Sequence, residues 1–304
     1  MGSLIRWHSP AVRLLRRAAV LAALTLLFYG MGSASIVGML SHAAELSRRP
    51  MMSADRLIAA QRVLVIAHRG DSANAPENTL PAFVSGVQSG ADLVELDYYH
   101  SADGVPVVFH DKDLDRTTDA KEVFGRAKIS IQSLRLAELQ RLDAGRWYGP
   151  AFRGTRIPTL EAALDTIQSG STALVERKSG DPGTCIALLR RKDWLDKVVV
   201  QSFDWPFVKE CHRLAPQLML AALGSEELTA EKLDEIAATG ARVIGWQEKD
   251  VGLEVIREVH RRGHKLWVYT VDDVSRAREL VAAGIDGIIT NNPRAIASEI
   301  RSSR

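Results

Sequence analysis

The sequence predicts an α/β protein, a (β/α)8 TIM barrel with a small hairpin and insertion after its second strand, preceded by an N-terminal transmembrane helix. Two observations predict the barrel. Eight apolar runs rich in Val, Ile and Leu, at 63–67, 93–97, 173–178, 198–203, 219–223, 242–246, 266–271 and 287–290, alternate with amphipathic stretches. Once about 50 N-terminal residues are set aside, roughly 250 remain, the usual size of one such barrel.

Continuous apolar runs of this length fit strands buried on both faces. Helical periodicity occupies 79–89, 160–168, 230–239, 253–262 and 274–283, and each stretch stops before a glycine: Gly90, Gly170, Gly240, Gly263 and Gly284. Glycine is a common helix stop because it takes a left-handed backbone conformation without a Cβ penalty. Regular alternation favours a closed parallel barrel; an open doubly wound sheet is the alternative. No GxGxxG follows the first run, so the dinucleotide-binding version of that sheet has no support. A ninth apolar run, 105–109, follows the second across the turn sequence Ser101-Ala102-Asp103-Gly104, which predicts a hairpin. The stretch 112–156 lacks the barrel rhythm and reads as an insertion over the barrel mouth.

The N-terminus is different in kind. Residues 1–17 form a basic tail with Arg6, Arg13, Arg16 and Arg17, and 18–40 is an uncharged apolar stretch of 23 residues. At a rise of about 1.5 Å per residue it is long enough to cross a hydrocarbon core of about 30 Å. Arginines ahead of the stretch keep that side cytoplasmic and put the following domain outside. A cleaved signal peptide, with the domain secreted, is the competing reading. Residues 41–54 read as a linker and 55–304 as the barrel domain.

The formal charge is only +2, from 39 basic and 37 acidic residues, and no basic block marks the folded part. A nucleic-acid partner is therefore not expected. The two cysteines, Cys185 and Cys211, lie in no metal-ligand spacing and read as small apolar residues, with a disulfide left open.

In this fold, side chains at the C-terminal ends of the strands form the active site. The first run ends in His68-Arg69-Gly70, which offers an acid–base group and a guanidinium fork suited to phosphate. The second ends in Glu95-Leu96-Asp97. Residues i and i+2 of a strand share a face, so two carboxylates converge and repel unless a cation or proton sits between them. Hard oxygen ligands suit Mg²⁺ or Ca²⁺. The ninth run ends in His110-Asp111, a second catalytic histidine. The third barrel run ends in Glu176-Arg177-Lys178. The same parity makes Glu176 a third metal ligand and Lys178 a balance for phosphate charge, because a lysine buried there without an anion is costly.

Taken together, these strings resemble the glycerophosphodiester phosphodiesterase family. The likeness runs in order through His68-Arg69-Gly70, Ala75-Pro76-Glu77-Asn78-Thr79, Glu95-x-Asp97, Asp103-Gly104, His110-Asp111, Glu176-x-Lys178, Gln201-Ser202-Phe203, Trp267 and Asp286-Gly287-Ile288-Ile289-Thr290-Asn291 with Pro293. It spans about 55–300. The resemblance implies a (β/α)8 barrel, a bound divalent cation, and hydrolysis of glycerophosphodiesters to sn-glycerol 3-phosphate and an alcohol. It further implies His68 and His110 as the acid–base pair, Glu95, Asp97 and Glu176 as metal ligands, Arg69 and Lys178 as phosphate contacts, and Trp267 as a substrate-lining aromatic. Glu77 falls in a supporting loop motif. Ser101, where a threonine is usual, and the aromatic run Tyr98-Tyr99-His100 depart from the pattern and bear on the leaving group rather than the chemistry. The sequence leaves open which histidine is acid and which is base, and whether water or the substrate's own 2-hydroxyl attacks. A lysophospholipase D acting on lipid is the rival enzyme, and a non-catalytic binding module is the rival of another class.

Overall fold

A computed structural model describes residues 53–302. The basic tail 1–17, the apolar stretch 18–40 and nearly all of the linker 41–54 lie outside the described residues. Among the described residues no helix is long and apolar enough to cross a membrane.

The first element is a short helix, α1 (Ala54–Ile58). Eight parallel strands then close a barrel: β1 (Leu64–Ala67), β2 (Leu93–His100), β4 (Thr172–Arg177), β5 (Val198–Ser202), β6 (Met219–Gly224), β7 (Val243–Gln247), β8 (Lys265–Tyr269) and β9 (Gly287–Thr290). Neighbours pair in the order β1-β9-β8-β7-β6-β5-β4-β2, and β1 pairs with β2 to complete the ring. The ninth run is β3 (Pro106–Val108), antiparallel to the overlong end of β2 with Tyr98 opposite Val108, as the turn chemistry predicts.

Side-chain parity sorts the strand residues into two cores. Alternate positions Leu64, Ile66, Leu93, Leu174, Val199, Met219, Ala221, Val243, Trp267 and Ile289 fill the barrel, and Ala54, Leu57 and Ile58 of α1 join them. The intervening positions, such as Val65, Val94, Leu96, Val175, Val200 and Ile288, face the helices. The α1 helix closes the N-terminal end of the barrel: Ala54 N donates to Asp196 O just ahead of β5, and Asp55 pairs with Arg242 just ahead of β7.

The five helices expected from periodicity are present as α2 (Leu80–Gln88), α5 (Leu160–Ile167), α8 (Ala230–Ala237), α9 (Leu253–Arg261) and α10 (Val274–Ala282). Gly284 follows the last with φ 92°, a left-handed stop. Three further helices complete the ring: α6 (Pro182–Arg191), α7 (Trp205–Leu214) and α11 (Pro293–Ser302). No glycine stop marks α6 or α7. Their start signals are Asp181, which accepts from Thr184 N, and Asp204, which accepts from Phe207 N, each followed by a proline in the first turn. Cys185 and Cys211 sit on α6 and α7, both free and buried.

The insertion between β3 and α5 holds two short helices, α3 (Ala120–Phe124) and α4 (Leu136–Leu139), around a small core of its own. Leu114, Ile129, Ile131, Leu139 and Leu142 pack there with Val107 and Phe109 of the hairpin. Tyr148 ties the insertion to the loop after β1 by donating from Oη to Ala73 O at 2.5 Å.

Candidate active site

Glu95, Asp97 and Glu176 project from the C-terminal ends of β2 and β4, where the strand register sets Asp97 beside Glu176. Each offers a carboxylate oxygen within 4.8 Å of the others', and all three residues are buried. The Glu95 Oε2 atom accepts from Arg69 N at 2.7 Å, whereas buried Oε1 has no hydrogen-bond partner. Burial, reinforced by the charges of Asp97 and Glu176, drives the Glu95 pKa well above its usual range. Burial and Asp97 likewise push Glu176 up to about 7. For Asp97, burial also pulls upward, but Lys178 and then Arg69 hold it below the usual value. Three buried acids around one unpartnered oxygen fit a hard divalent cation, which relieves their mutual repulsion.

Lys178 pairs with Asp97 Oδ1 at 3.1 Å and with Glu176. It is the internal counter-charge of the acid group. Arg69 sits with its Nε 3.5 Å from Asp97 Oδ2 and donates from Nη1 to Glu77 Oε1 at 2.8 Å. Its backbone is left-handed, φ 56°, an uncommon conformation for a residue with a side chain and typical of functional loops. Gly70 follows at φ 86°, and a Cβ there would fall 2.6 Å from the backbone of Ala82. Only glycine lets this loop lie so close to α2.

His68 continues β1 by one residue. Its Nδ1 lies 2.7 Å from Asn291 Oδ1. The amide is oriented by Asp272, which accepts from Asn291 Nδ2 at 2.6 Å and from Asn291 N at 2.7 Å. The oxygen therefore faces the histidine, Nδ1 carries the proton, and Nε2 keeps its lone pair. Burial, then the Arg69 charge, lowers the His68 pKa to about 4, so the ring is neutral at pH 7. His110 is differently placed. Its Nδ1 donates to Asp111 Oδ1 at 2.6 Å, leaving Nε2 free. Against the upward pull of burial, Arg116 and His110 hold Asp111 at about 2.

Seven of the eight residues singled out from sequence gather at one end of the barrel. Trp267 does not, and this corrects the sequence reading. It lies mid-strand in β8, fully buried among Leu64, Ile66 and Ile289 in the barrel core. The aromatic at the end of β8 is Tyr269, two residues on and on the same face. Its Oη donates to Gly224 O at 2.7 Å, and its ring meets Phe203 edge-on, centroids 6.1 Å apart. The charges of Glu176 and Lys178 act on it, which puts it beside the acid group. Parity alone does not separate Trp267 from Tyr269; depth along the strand does.

Sequence reasoning also gave no role to Asn78, which braces Asp97 by donating from Nδ2 to Oδ2 at 2.8 Å and accepting the Asp97 N–H at Oδ1. Asn78 and Asn291 lie inside the motifs that carry the family resemblance. Asp272 and Arg116 carried no signal, because their partners are distant in the chain.

A closed parallel barrel with acids, imidazoles and basic groups gathered at its mouth can hold a phosphate and move protons, which is the equipment a phosphoric diester hydrolase needs. The glycerophosphoryl diester phosphodiesterase family model matches residues 68–295, and the chain belongs to that family and is a glycerophosphodiester phosphodiesterase. A glycerophosphodiester phosphodiesterase of Caldanaerobacter subterraneus subsp. tengcongensis is 32% identical over 247 residues, 79% of this chain and 98% of that protein. One from Bacillus subtilis is 32% identical over 266 residues, 79% of this chain and 87% of that protein. A solved Oleispira antarctica phosphodiesterase, in complex with its product sn-glycerol-3-phosphate, has a TM-score of 0.72 at 29% identity, covering 78% of this chain and 96% of that one.

Proposed function

We propose that the chain hydrolyses glycerophosphodiesters to sn-glycerol 3-phosphate and an alcohol, with His68 as general base, His110 as general acid, and a divalent cation held by Glu95, Asp97 and Glu176. The observation that carries the reading is the contrast between the two imidazoles. The Asn291 carbonyl fixes a neutral His68 with an available Nε2 lone pair, while the Asp111 carboxylate at His110 Nδ1 is placed to steady positive charge on that ring. When bound, the cation would act as a Lewis acid on a phosphoryl oxygen.

His68 then takes the proton of the attacking hydroxyl, whether water or the substrate's own 2-hydroxyl. His110 returns one to the departing alkoxide. Arg69 and Lys178 offset the phosphate charge as it grows. His68→Ala and His110→Ala should each lower turnover by at least about 100-fold while leaving circular dichroism unchanged. Near wild-type turnover by either variant would end the two-histidine reading.

The aromatic pair Phe203–Tyr269, with Phe203 52% exposed, supports a second reading, a lysophospholipid substrate with an apolar leaving group. Assaying glycerophosphocholine against lysophosphatidylcholine separates the two. The N-terminal stretch 18–40 we read as a membrane anchor carrying the domain on the non-cytoplasmic side, with secretion after cleavage as the alternative. Fractionation of cells expressing the full chain tests this: recovery of activity in the soluble fraction would count against the anchor.

A further inference from the structure

The insertion reaches into the active site through one side chain, Arg116. Its Nε donates to Asp111 Oδ2 at 2.6 Å, and Nη1 and Nη2 grip Glu77 Oε2 and Oε1 at 2.8 and 2.7 Å. Each carboxylate has its other commitment on a catalytic group. Asp111 holds His110 through Oδ1, and Glu77 holds Arg69 through Oε1. One planar guanidinium thus joins two arms of the site, and it does so with the bidentate geometry that only arginine provides.

Arg116 itself is held firmly. Leu114, two residues before it, is wholly buried in the core of the insertion, and its N–H donates to Ile129 O. Asp115 accepts from Lys128 N through both oxygens at 3.0 Å, and Thr118 Oγ1 donates back to Leu114 O at 2.6 Å. The turn that carries Arg116 is therefore fixed on both flanks by the small core around Ile129 and Ile131.

We propose that Arg116 is a positioning residue for the reaction, aligning His110 through Asp111 and Arg69 through Glu77, and that delivering it is what the insertion contributes to catalysis. This rests on His110 being the general acid. Partners oriented in this way about a catalytic group commonly set its rate without touching substrate.

The test uses two substrates of the purified full chain. In one, an alkyl glycerophosphodiester, the P–O bond breaks toward an alkoxide that takes a proton from His110 Nε2. In the other, a p-nitrophenyl ester, the phenolate leaves without one. Arg116→Met should lower kcat on the alkyl ester by about 10- to 100-fold, with KM changed far less. On the p-nitrophenyl ester the loss should be distinctly smaller, since only the Arg69 arm is then disturbed. Arg116→Lys, which keeps the charge but not the fork, should lie near the methionine variant, and added guanidinium should recover part of the methionine variant's rate. His110→Ala is run in parallel. If it shows no dependence on the leaving group, the acid assignment fails. If it shows that dependence but Arg116→Met loses both substrates equally, or neither, the positioning role fails. Thermal unfolding of each variant separates a collapsed insertion, which would lower both activities together, from a misaligned one.

Discussion

Asn291 Oδ1 lies 2.7 Å from His68 Nδ1, and Asp272 fixes which way that amide faces. The pair decides the tautomer of the ring. A histidine acts as a base through the nitrogen that lacks a proton, and Asn291 assigns that state to Nε2.

Asn291→Leu removes the acceptor while keeping the side-chain volume. The expected result is a kcat lowered by about 10- to 100-fold, with cation affinity, measured by calorimetry, unaltered. A matching fall in cation affinity would mean that the residue acts through the fold of the mouth and not through the imidazole.

Cation binding should depend on pH. Glu176 titrates at about 7 against an ordinary 4.5, chiefly from burial and then from Asp97. A ligand must lose its proton to bind a cation. Calorimetric Mg²⁺ affinity should therefore strengthen as pH rises through 7, and Glu95, also held above its usual range, adds to the same trend. Stability of the cation-free protein runs the other way. Between pH 4.5 and 7 the folded Glu176 keeps a proton that the unfolded chain has released, so its contribution falls as pH rises through that window. The rise in Tm on adding Mg²⁺ should be larger at pH 8 than at pH 5. A rise that does not change with pH would exclude the buried acids as the ligands.

Lys178 is the counter-charge of Asp97 and Glu176. Lys178→Met leaves buried carboxylates unbalanced, and breaking a buried pair in this way costs about 3–5 kcal/mol. Denaturant unfolding in the presence of EDTA should reveal that loss, and saturating cation should recover part of it. A midpoint within experimental error of the parent would show that the lysine carries no structural charge.

Inside the barrel, a Cβ on Gly287 would lie 2.5 Å from Trp267 Cδ1. Gly287→Ala should cost about 1–3 kcal/mol through overpacking. Adding Trp267→Phe should lessen that cost, because the two sites share one volume. Strict additivity of the two losses in denaturant unfolding would contradict the contact.

Much of this site was legible because a strand has period two. Glu95 and Asp97 had to share a face, and so did Glu176 and Lys178; the barrel rule then put both pairs at the same end. The histidines were legible for the same reason, as the last residues of apolar runs. Trp267 entered the site only through the family resemblance, and it belongs to the core; Tyr269 shares its face, and parity does not measure depth, so neither signal picks out Tyr269. The Arg116–Glu77 bond joins residues 39 apart in the chain, inside a stretch with no periodicity. Nothing local announces such a bond, because it depends on how the insertion folds back over the barrel. The helices α6 and α7 were passed over for a different reason: their cues are at their starts, in Asp181 and Asp204, and not in a terminal glycine.

The placement of α1 has a practical side. Its Leu57 and Ile58 stopper the barrel floor, so the polypeptide enters the domain at the pole remote from the catalytic acids. Added bulk on Ser53 itself would therefore leave the entrance clear. Cutting the chain back past α1 would do the opposite harm, flooding the apolar shaft around Met219 and Trp267 without touching a single reacting group.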